Sequence, residues 1–383
     1  MSEQLQKLQA ELLQNLQTVG ETSASSSEEN GRLDVLTRIE KVIQKIVHTI
    51  SQGEAPVLQL STRCSWSNMR FDKSVGILMS LNPKVTTLRS DCPSAINRFA
   101  LFLKVLSMIY RLVQTDSYAT KRDMYYNDPQ LFGTQRNLDL IVDDISCMLQ
   151  VPRRSLHVLA TSKGFISGDL CYLEADGTRV ECHSSSMAVP VSSNVSEITN
   201  IVSSAKFILI VEKDATFQRL LDDEFCTRLH PCIIITGKGV PDVNSRLMVR
   251  KLWDTLHIPV FALVDADPHG IEIMCVYKYG SMSMAFEAYS LTTPTIMWLG
   301  LLPSDIEKFG VQDALIPFTK RDESKLMSLK RRPYISAQPA WEREVGILMK
   351  CRKKAEIQSL ASIAPHFLTR VYLPNKLRYG GWI

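Results

Sequence analysis

Three short apolar segments in the second half of the chain constrain its fold more than any other feature. Residues 206–212, 231–237 and 258–265 are each long enough for one strand and end in polar or glycine residues. Strands without polar alternation are buried on both faces, as in parallel sheets. Stretches with helical spacing at 216–229 and 244–256 separate them. The order βαβαβ predicts an α/β unit with a doubly wound parallel sheet.

Acidic residues follow two of these strands, at the edge where ligands bind in such sheets. Glu212 ends the first strand, and Asp265 and Asp267 follow the third. Carboxylate oxygens suit magnesium, and clustered carboxylates without a cation repel one another, so the pattern favours a Mg²⁺ site. Helix capping by Asp265 or Asp267 is the alternative. A phosphatase of the haloacid dehalogenase type also uses Asp-x-Asp after a strand, but near the start of its domain.

The first half of the chain is predicted to be mainly helical. Residues 1–31 end in a Ser- and Glu-rich stretch typical of a flexible tether. Apolar residues at helical spacing over 33–50 predict an amphipathic helix, which docks either on another subunit or on its own domain.

Two further helices are predicted at 96–112 and 134–149, followed by alternating stretches at 155–159 and 170–173. Helices followed by a small hairpin are compatible with a winged helix-turn-helix of α+β class, which places a helix in a DNA groove. The pattern alone favours an ordinary α+β subdomain.

A candidate nucleophile lies between the two helices, in the segment 120–126. Tyr125 and Tyr126 end this segment, and Arg122 precedes them. A phenol needs a nearby cation or base to act as a nucleophile at neutral pH, and Arg122 supplies such a charge. On a helix Arg122 reaches Tyr125 at i+3 and Tyr126 at i+4, so spacing does not choose between them. Core packing is the alternative role for such a pair.

Composition limits the classes of protein to which this pattern belongs. A net charge of +4 does not by itself indicate a polyanion partner, and no apolar run approaches the ~18–20 residues of a membrane span. The nine cysteines are odd in number and form no Cys-x-x-Cys pair, which favours reduced thiols in an intracellular protein. The turn at 237–239 lacks phosphate-loop spacing, so any ATP gating requires another subunit.

Five motifs taken together resemble one family, the meiotic double-strand-break transesterases, which are eukaryotic relatives of the topoisomerase VI A subunit. They lie in the expected order at 122–126 (Arg-Asp-Met-Tyr-Tyr), 162–164 (Ser-Lys-Gly), 211–214 (Val-Glu-Lys-Asp), 236–242 (Thr-Gly-Lys-Gly-Val-Pro-Asp) and 265–270 (Asp-Ala-Asp-Pro-His-Gly). The resemblance covers about residues 33–383 and extends to the closing motif at 373–376 (Leu-Pro-Asn-Lys). No single motif is specific, but the set is.

The resemblance implies a fold and a division of the chain. It implies a winged-helix (CAP-like) domain carrying the nucleophilic tyrosine and a Toprim domain carrying the metal acids. The expected ranges are a tail at 1–31, a helix and linker at 32–92, the winged-helix domain at 93–195, and the Toprim domain with a C-terminal extension at 196–383.

The resemblance also implies roles for individual residues. Tyr126 corresponds to the nucleophile, which makes Tyr125 a packing neighbour, and Arg122 contacts the scissile phosphate. The magnesium ligands are Glu212, Asp265 and Asp267. Lys163, in the predicted wing, matches a DNA-contacting position; Lys238, Arg153 and Arg154 are further candidates for phosphate contacts.

The expected reaction is a magnesium-dependent transesterification that breaks both DNA strands in meiotic recombination. Tyrosine becomes esterified to the 5′ end of the DNA, and no ATP is consumed in the bond change. The implied assembly is a homodimer with composite sites, joined to a topoisomerase VI B-like subunit through the 33–50 helix as a heterotetramer. The expected location is the nucleus, on the chromosomes of meiotic cells. A reversible type IIB topoisomerase and a catalytically silent DNA-binding scaffold are the alternatives.

Overall fold

The computed structural model describes residues 27–61, 69–72, 76–80, 85–183, 188–229, 231–310 and 314–383. The predicted tail at 1–31 lies outside these ranges up to residue 26, and its last residues belong to the first helix. Within the described ranges, no helix is both long and apolar enough to cross a membrane.

The N-terminal region consists of one long helix and two small strand pairs. These elements are α1 (Ser27–Ser51), β1 (Val57–Ser61), β2 (Met69–Asp72), β3 (Ile77–Ser80) and β4 (Val85–Arg89). β1 pairs with β4 and β2 pairs with β3, both antiparallel. The predicted helix at 33–50 is confirmed, and it begins earlier than its apolar pattern indicated.

A helical unit follows, with a parallel pair of two-residue strands beside it. Its elements are α2 (Ile96–Gln114), β5 (Ala119–Thr120), α3 (Lys121–Tyr126), α4 (Pro129–Phe132), α5 (Gln135–Leu149) and β6 (Val158–Leu159). Their buried side chains form one hydrophobic core, to which α1 contributes Val35, Ile39 and Ile46. Ile43, Val47 and Ile50 lie beside these buried residues, at the edge of the same apolar face, and are exposed. The helix therefore docks on its own domain and leaves part of its apolar surface uncovered.

The predicted hairpin between 155–159 and 170–173 is wrong. β6 pairs instead with β5, and β8 (Cys171–Leu173) lies between β9 (Arg179–Glu181) and β11 (Thr199–Val202) in a separate sheet. Apolar alternation in short segments indicates which side of a strand is buried, but it does not specify the partner strand.

The predicted parallel sheet is confirmed. Its strands, with the helices between them, are β7 (Phe165–Gly168), β10 (Val189–Pro190), β12 (Ile208–Val211), α6 (Asp214–Asp222), α7 (Phe225–Arg228), β13 (Ile233–Thr236), α8 (Val243–Leu256), β14 (Val260–Leu263), α9 (Pro268–Tyr279), α10 (Ala288–Leu291) and β15 (Met297–Gly300). The order across the sheet is β10-β7-β13-β12-β14-β15. β12 pairs in parallel with both β13 and β14. Alternate residues of β12 enter separate hydrophobic cores on the two faces of the sheet, as expected for a strand buried on both sides.

The boundary predicted at residue 195 differs from the observed sheet. β7 and β10 lie inside the range predicted for the winged-helix domain, yet β7 pairs antiparallel with β13, and β10 pairs with β7. β7 and β10 thus add two antiparallel strands to one edge of the parallel sheet. The βαβαβ pattern does not predict this addition.

The C-terminal region packs against this sheet. Its elements are α11 (Pro303–Phe309), β16 (Ile316–Pro317), α12 (Lys320–Lys330), α13 (Pro333–Ser336), α14 (Pro339–Cys351), β17 (Lys353–Lys354) and α15 (Leu373–Tyr379). Residue Ala355, just after β17, exchanges backbone hydrogen bonds with Ala266 at 3.0 and 3.3 Å. This contact brings the segment after β17 against the loop that carries the predicted metal acids.

Candidate nucleophile and acid cluster

Tyr126 ends α3, a helix of six residues that depends on its cap and its anchor. Thr120 and Asp123 form a reciprocal capping box, in which the Thr120 N–H donates to Asp123 Oδ2 at 2.9 Å and the Asp123 N–H donates to Thr120 Oγ1 at 3.1 Å. Met124 is buried in the helical core. An isolated helix of this length is not stable, so these contacts hold the tyrosine in place.

The two tyrosines of α3 have different surroundings. Tyr126 is 65% exposed. Tyr125 packs against the helical core, and its hydroxyl donates to the Gly133 carbonyl at 3.4 Å. Arg122 is exposed on the same helix. The structure thus makes the Tyr126 hydroxyl accessible, which spacing along the sequence did not decide.

Glu212 ends β12 with a buried side chain that is 7% exposed. Its Oε2 accepts the backbone N–H of Asp265 at 2.8 Å, which ties the end of β12 to the loop after β14. Gly270 permits this approach, because a Cβ there would lie 2.9 Å from Glu212 Oε2 and 2.6 Å from the Asp265 carbonyl oxygen.

Asp265 is the most heavily bonded of the acids. It is 3% exposed. Its Oδ1 accepts the Ile357 N–H at 2.8 Å, and its Oδ2 lies 2.7 Å from Lys213 Nζ. Glu356 Oε2 lies 3.3 Å from the same Nζ. Two segments far apart in the sequence therefore fix one carboxylate.

Asp267 caps α9, which is the role that the sequence offered as an alternative to metal binding. Its Oδ1 accepts the Gly270 N–H at 2.6 Å. A cap engages one carboxylate oxygen and so does not by itself exclude metal binding.

The acids influence one another electrostatically. Burial raises the pKa of Glu212 to about 8, and the negative charges of Asp265 and Asp267 add to the effect. Burial also raises the pKa of Asp265, against the opposing influence of Lys213 and the Ile357 N–H. Burial alone would lower the pKa of Lys213, but the hydrogen bonds and negative charges of Asp265 and Glu356 together outweigh burial and raise it.

The cluster fits a divalent ion by its donor chemistry, because it consists of two buried carboxylates and the half-buried Asp267, with a cation already beside one of them. The Lys213 ammonium lies at Asp265 Oδ2, so this carboxylate oxygen already binds one positive charge. Within the described residues, no group of three or more His, Cys, Asp and Glu side chains is already arranged as a metal site. Binding a metal through these acids therefore requires their side chains to rearrange.

Lys163 and Lys238 come together beside the acid cluster. Lys163 precedes β7 and donates from Nζ to the Lys238 carbonyl at 3.3 Å. Lys238 follows β13 in a left-handed conformation with φ of 52°. Its Nζ lies 3.2 Å from Asp214 and 4.1 Å from the centre of the Phe165 ring. Lys163 thus lies just before a strand of the large sheet and not in a separate hairpin.

Arg153 and Arg154 line a different feature, a cleft of 810 Å³ between the helical unit and the parallel-sheet unit. The Arg154 guanidinium pairs with Glu197 at 2.5 Å and lies over the Tyr118 ring. The Arg153 N–H donates to Glu287 Oε1 at 3.2 Å. The contacts of Arg154 hold it within this cleft.

The nucleophile and the acids belong to separate parts of the chain. α3 packs on α4, α5 and β5. Among the described residues, no hydrogen bond or ion pair joins Tyr126 or Arg122 to Glu212, Asp265 or Asp267. One chain therefore presents a nucleophile and an acid cluster without connecting them.

Lys213, Glu356 and Ile357 are the contacts of the cluster that sequence reasoning missed. Lys213 directly follows Glu212, so a lysine adjoining a buried acid was a signal in the sequence. Glu356 and Ile357 come about ninety residues after Asp265 and carry no local signal.

Two family models match the chain. Residues 207–377 match the model of the Toprim domain shared by the topoisomerase 6 A-subunit and Spo11. Residues 97–158 match the model described as "Type IIB DNA topoisomerase". The first covers the acid cluster and the second covers α3 with its tyrosines.

Full-length relatives agree with these matches. The chain is 59% identical over 367 residues to "Meiotic recombination protein SPO11" of Mus musculus, which covers 95% of this chain and 92% of the relative. It is 58% identical to the Homo sapiens protein of the same name, over 96% of this chain and 91% of the relative. It is 36% identical to the DNA topoisomerase 6 A-subunit of Arabidopsis thaliana, over 91% of this chain and 81% of the relative.

Proposed function

Because this chain belongs to the family of Spo11 and the topoisomerase 6 A-subunit, we propose that it cleaves DNA by transesterification in meiotic recombination, with Tyr126 as the nucleophile. The family membership rests on relatives that cover nearly the whole chain. The observation that carries the residue assignment is the contrast within α3, where Tyr126 is exposed and Tyr125 is packed into the core.

The proposed step exchanges one phosphodiester for another. The Tyr126 oxygen attacks a backbone phosphorus in line, a P–O bond to tyrosine forms, and the bond to the 3′-oxygen breaks. The phenolic proton is lost and the departing 3′-oxygen gains one, so the 5′ end of the DNA remains attached to the protein. The numbers of P–O bonds and charges are unchanged, and the bond change consumes no ATP.

Arg122 is proposed to contact the scissile phosphate. It lies one helical turn before Tyr126, so its guanidinium and the phenol occupy the same side of α3. A guanidinium near the phosphate favours the phenolate and stabilises the negative charge added in the transition state.

Membership of this family implies a divalent metal ion in the Toprim domain, and we propose Mg²⁺ held by Glu212, Asp265 and Asp267. Support comes from the buried, coupled carboxylates and the ammonium already at Asp265. Bound there, the ion would stabilise negative charge on the reacting phosphate and position the departing oxygen. The close approach permitted by Gly270 and the hydrogen bond from the Ile357 N–H to Asp265 support this assignment, because they keep the acids near one another.

We further propose a homodimer with composite sites. Its support is that one chain carries Tyr126 on a helical unit and the acids on the parallel sheet without contact between them. Each site would then take its tyrosine from one protomer and its metal from the other, so that one dimer cuts both strands.

The family also implies assembly with a B subunit, and we propose that the exposed face of α1 docks a B-like subunit. Ile43, Val47 and Ile50 form an exposed apolar stripe directly beside the residues through which α1 packs on its own domain. Helices with such a stripe bind in apolar grooves of partner proteins. Two A-type and two B-like chains would make a heterotetramer.

DNA contacts are proposed for Lys163 and Lys238 beside the acid cluster and for Arg153 and Arg154 at the cleft. We also propose that the helical unit is a winged helix-turn-helix that places a helix on DNA. The names of the relatives support a location in the nucleus, on meiotic chromosomes.

A reversible type IIB topoisomerase is the second candidate, favoured by the 36% identity to a plant topoisomerase component. Resealing is the reverse of the same step. Relaxation of supercoiled DNA in the presence of the B-like partner and ATP would favour it. A silent scaffold would instead bind DNA and form no adduct.

The first experiment detects the covalent adduct. The full chain, a B-like partner, end-labelled duplex DNA and Mg²⁺ are mixed, denatured and separated, beside Tyr126→Phe and the matched control Tyr125→Phe. We expect an adduct at the 5′ end that disappears with Tyr126→Phe and persists with Tyr125→Phe. Loss with Tyr125→Phe alone would overturn the residue assignment.

A further inference from the structure

The Lys213 ammonium occupies a position between two carboxylates at the acid cluster. It lies 2.7 Å from Asp265 Oδ2 and 3.3 Å from Glu356 Oε2. Asp265 is almost fully buried, whereas the Glu356 side chain is 50% exposed. The ammonium thus bridges one acid inside the cluster and one at its rim.

Both carboxylate oxygens of Asp265 are already engaged, so binding another cation would disrupt its ion pair with Lys213. Its Oδ1 is held by the Ile357 N–H and its Oδ2 by Lys213. A divalent ion that binds Asp265 meets an ammonium at the same oxygen. Two cations at one buried carboxylate repel each other strongly in a medium of low dielectric constant.

Glu356 offers the ammonium a second anchor. The backbone bonds between Ala355 and Ala266 fix the residue before Glu356 against the acid loop. A small movement of the flexible lysine chain toward the rim keeps one ion pair while the other is released.

We propose that Lys213 is the counter-ion of Asp265 until a divalent ion binds, and that Glu356 then receives its ammonium. This inference rests on the proposed metal site and adds two positioning residues, Lys213 and Glu356, neither of which is among the three acids. Lys213 lowers the affinity for metal by competition, and Glu356 raises it by stabilising the displaced ammonium.

Metal binding without DNA tests the proposal on the full chain. Mn²⁺ is titrated, and the free aquo ion is measured by electron paramagnetic resonance. We expect Lys213→Met to bind Mn²⁺ about tenfold more tightly than wild type and Glu356→Gln to bind it several-fold more weakly.

The double variant separates this proposal from a general effect of net charge. If Glu356 acts only by receiving the ammonium, Glu356→Gln has no effect once Lys213 is Met, and the two changes are not additive. Additive effects would overturn the proposal, since they would make Glu356 either a distant charge or a direct ligand.

Lys376→Met is the matched control, because Lys376 forms a similarly buried pair with Asp305 at 2.8 Å in the same domain. We expect both Lys213→Met and Lys376→Met to lower the melting temperature of the metal-free protein, since each removes a partner of a buried carboxylate, and Lys376→Met to leave Mn²⁺ affinity unchanged. Equal affinities for wild type and Lys213→Met would overturn the proposal.

Asp265→Asn distinguishes failure of this inference from failure of the metal site. Mn²⁺ binding that is lost in Asp265→Asn but unaffected by Lys213→Met overturns the competition alone. Mn²⁺ binding that survives Asp265→Asn, or no binding by wild type and Lys213→Met alike, overturns both the proposed metal site and this inference.

Discussion

The nucleophile region and the acid region of this chain have opposite surroundings. Tyr126 and Arg122 lie at the surface on a short helix, and their side chains have no hydrogen-bond or ion-pair partner among the described residues. Glu212 and Asp265 are buried, and each is tied to backbone or to a lysine from another segment. The same proposed reaction therefore draws on one exposed component and one that is buried and tied to neighbouring segments.

This difference indicates that the acid cluster and Tyr126 obtain their reactivity from different sources. Burial and mutual repulsion raise the pKa of Glu212 within the chain itself, so the acid cluster is prepared for a cation before DNA arrives. Tyr126 lies instead on an exposed helix with Arg122 one turn before it, so under the proposed mechanism its activation draws on Arg122 together with DNA, metal or a second protomer. Four predictions test this division.

Complementation between two inactive variants gives the largest expected effect. In a mixed dimer of Tyr126→Phe and Asp267→Asn, one composite site combines an intact tyrosine with intact acids, and the other has neither. We therefore expect each variant alone to give no adduct and the mixture to recover cleavage of one strand. The measurement is adduct formation on end-labelled duplex DNA.

Co-purification of the two variants through different affinity tags confirms that mixed dimers have formed. A mixture that contains such dimers and remains inactive would show that each site is built within one chain. It would thereby remove the proposed role of the partner in activating the exposed tyrosine.

The sequence predicted much of the acid region and less of the nucleophile region. The wholly apolar strands determine a parallel sheet, and its topology places Glu212 beside Asp265. The family and the transesterase class predicted from the motifs are confirmed by the relatives. The hairpin prediction failed, and the addition of β7 and β10 to the sheet was not foreseen, because the partners of short strands depend on tertiary contacts. For the same reason Glu356 and Ile357 could not be foreseen.

The exposed face of α1 gives the second prediction. Val47 is 59% exposed on the apolar stripe, whereas Ile39 is 2% exposed on the packed face. We expect Val47→Asp to weaken binding of a B-like partner by about a hundredfold, as for a central apolar contact, with little change in the free energy of unfolding. Calorimetric titration with the purified partner measures the affinity.

Ile39→Ala is the matched control on the same helix. It should lower the free energy of unfolding by about 3 kcal/mol through the cavity it leaves, while a folded sample keeps its partner affinity. Unchanged binding by Val47→Asp would mean that this face does not dock the B-like partner.

The third prediction concerns the cost of burying Glu212 in the acid region. Its pKa in the folded chain is about 8, above the ordinary value of 4.5, so the native state holds the proton more tightly than the unfolded state does. The free energy of unfolding of the metal-free protein should therefore fall as pH rises from about 4.5 to about 8.

Glu212→Gln removes this dependence. We expect the variant to be more stable than wild type by about 5 kcal/mol at pH 8.5 in chelator, with no difference near pH 4, and to be inactive in cleavage. Urea denaturation across this pH range measures it. The exposed Glu342→Gln is the control and should follow wild type. If the free energy of unfolding of wild type does not change between pH 5 and 8, burial does not raise the pKa of Glu212.

The fourth prediction has the smallest expected effect and concerns Lys163, a proposed DNA contact that belongs neither to the tyrosine region nor to the acid cluster. Lys163 lies beside the acids with an exposed ammonium bonded only to a carbonyl, so its replacement should not disturb the cluster. We expect Lys163→Met to weaken DNA binding several-fold and to reduce the slope of log affinity against log salt by about 0.9, the value for one phosphate contact. Mn²⁺ affinity should not change, since no carboxylate loses a partner.

Lys308→Met, which removes an exposed lysine on α11, is the charge-matched control for this measurement and should leave the slope unaltered. If both variants reduce the slope equally, the protein attracts DNA through its net charge, and the pairing of Lys163 with Lys238 beside the acids has no special part in holding the substrate. If only Lys163→Met does so, the phosphate backbone passes over the acid region, and DNA is the element that brings the exposed tyrosine and the prepared acids together.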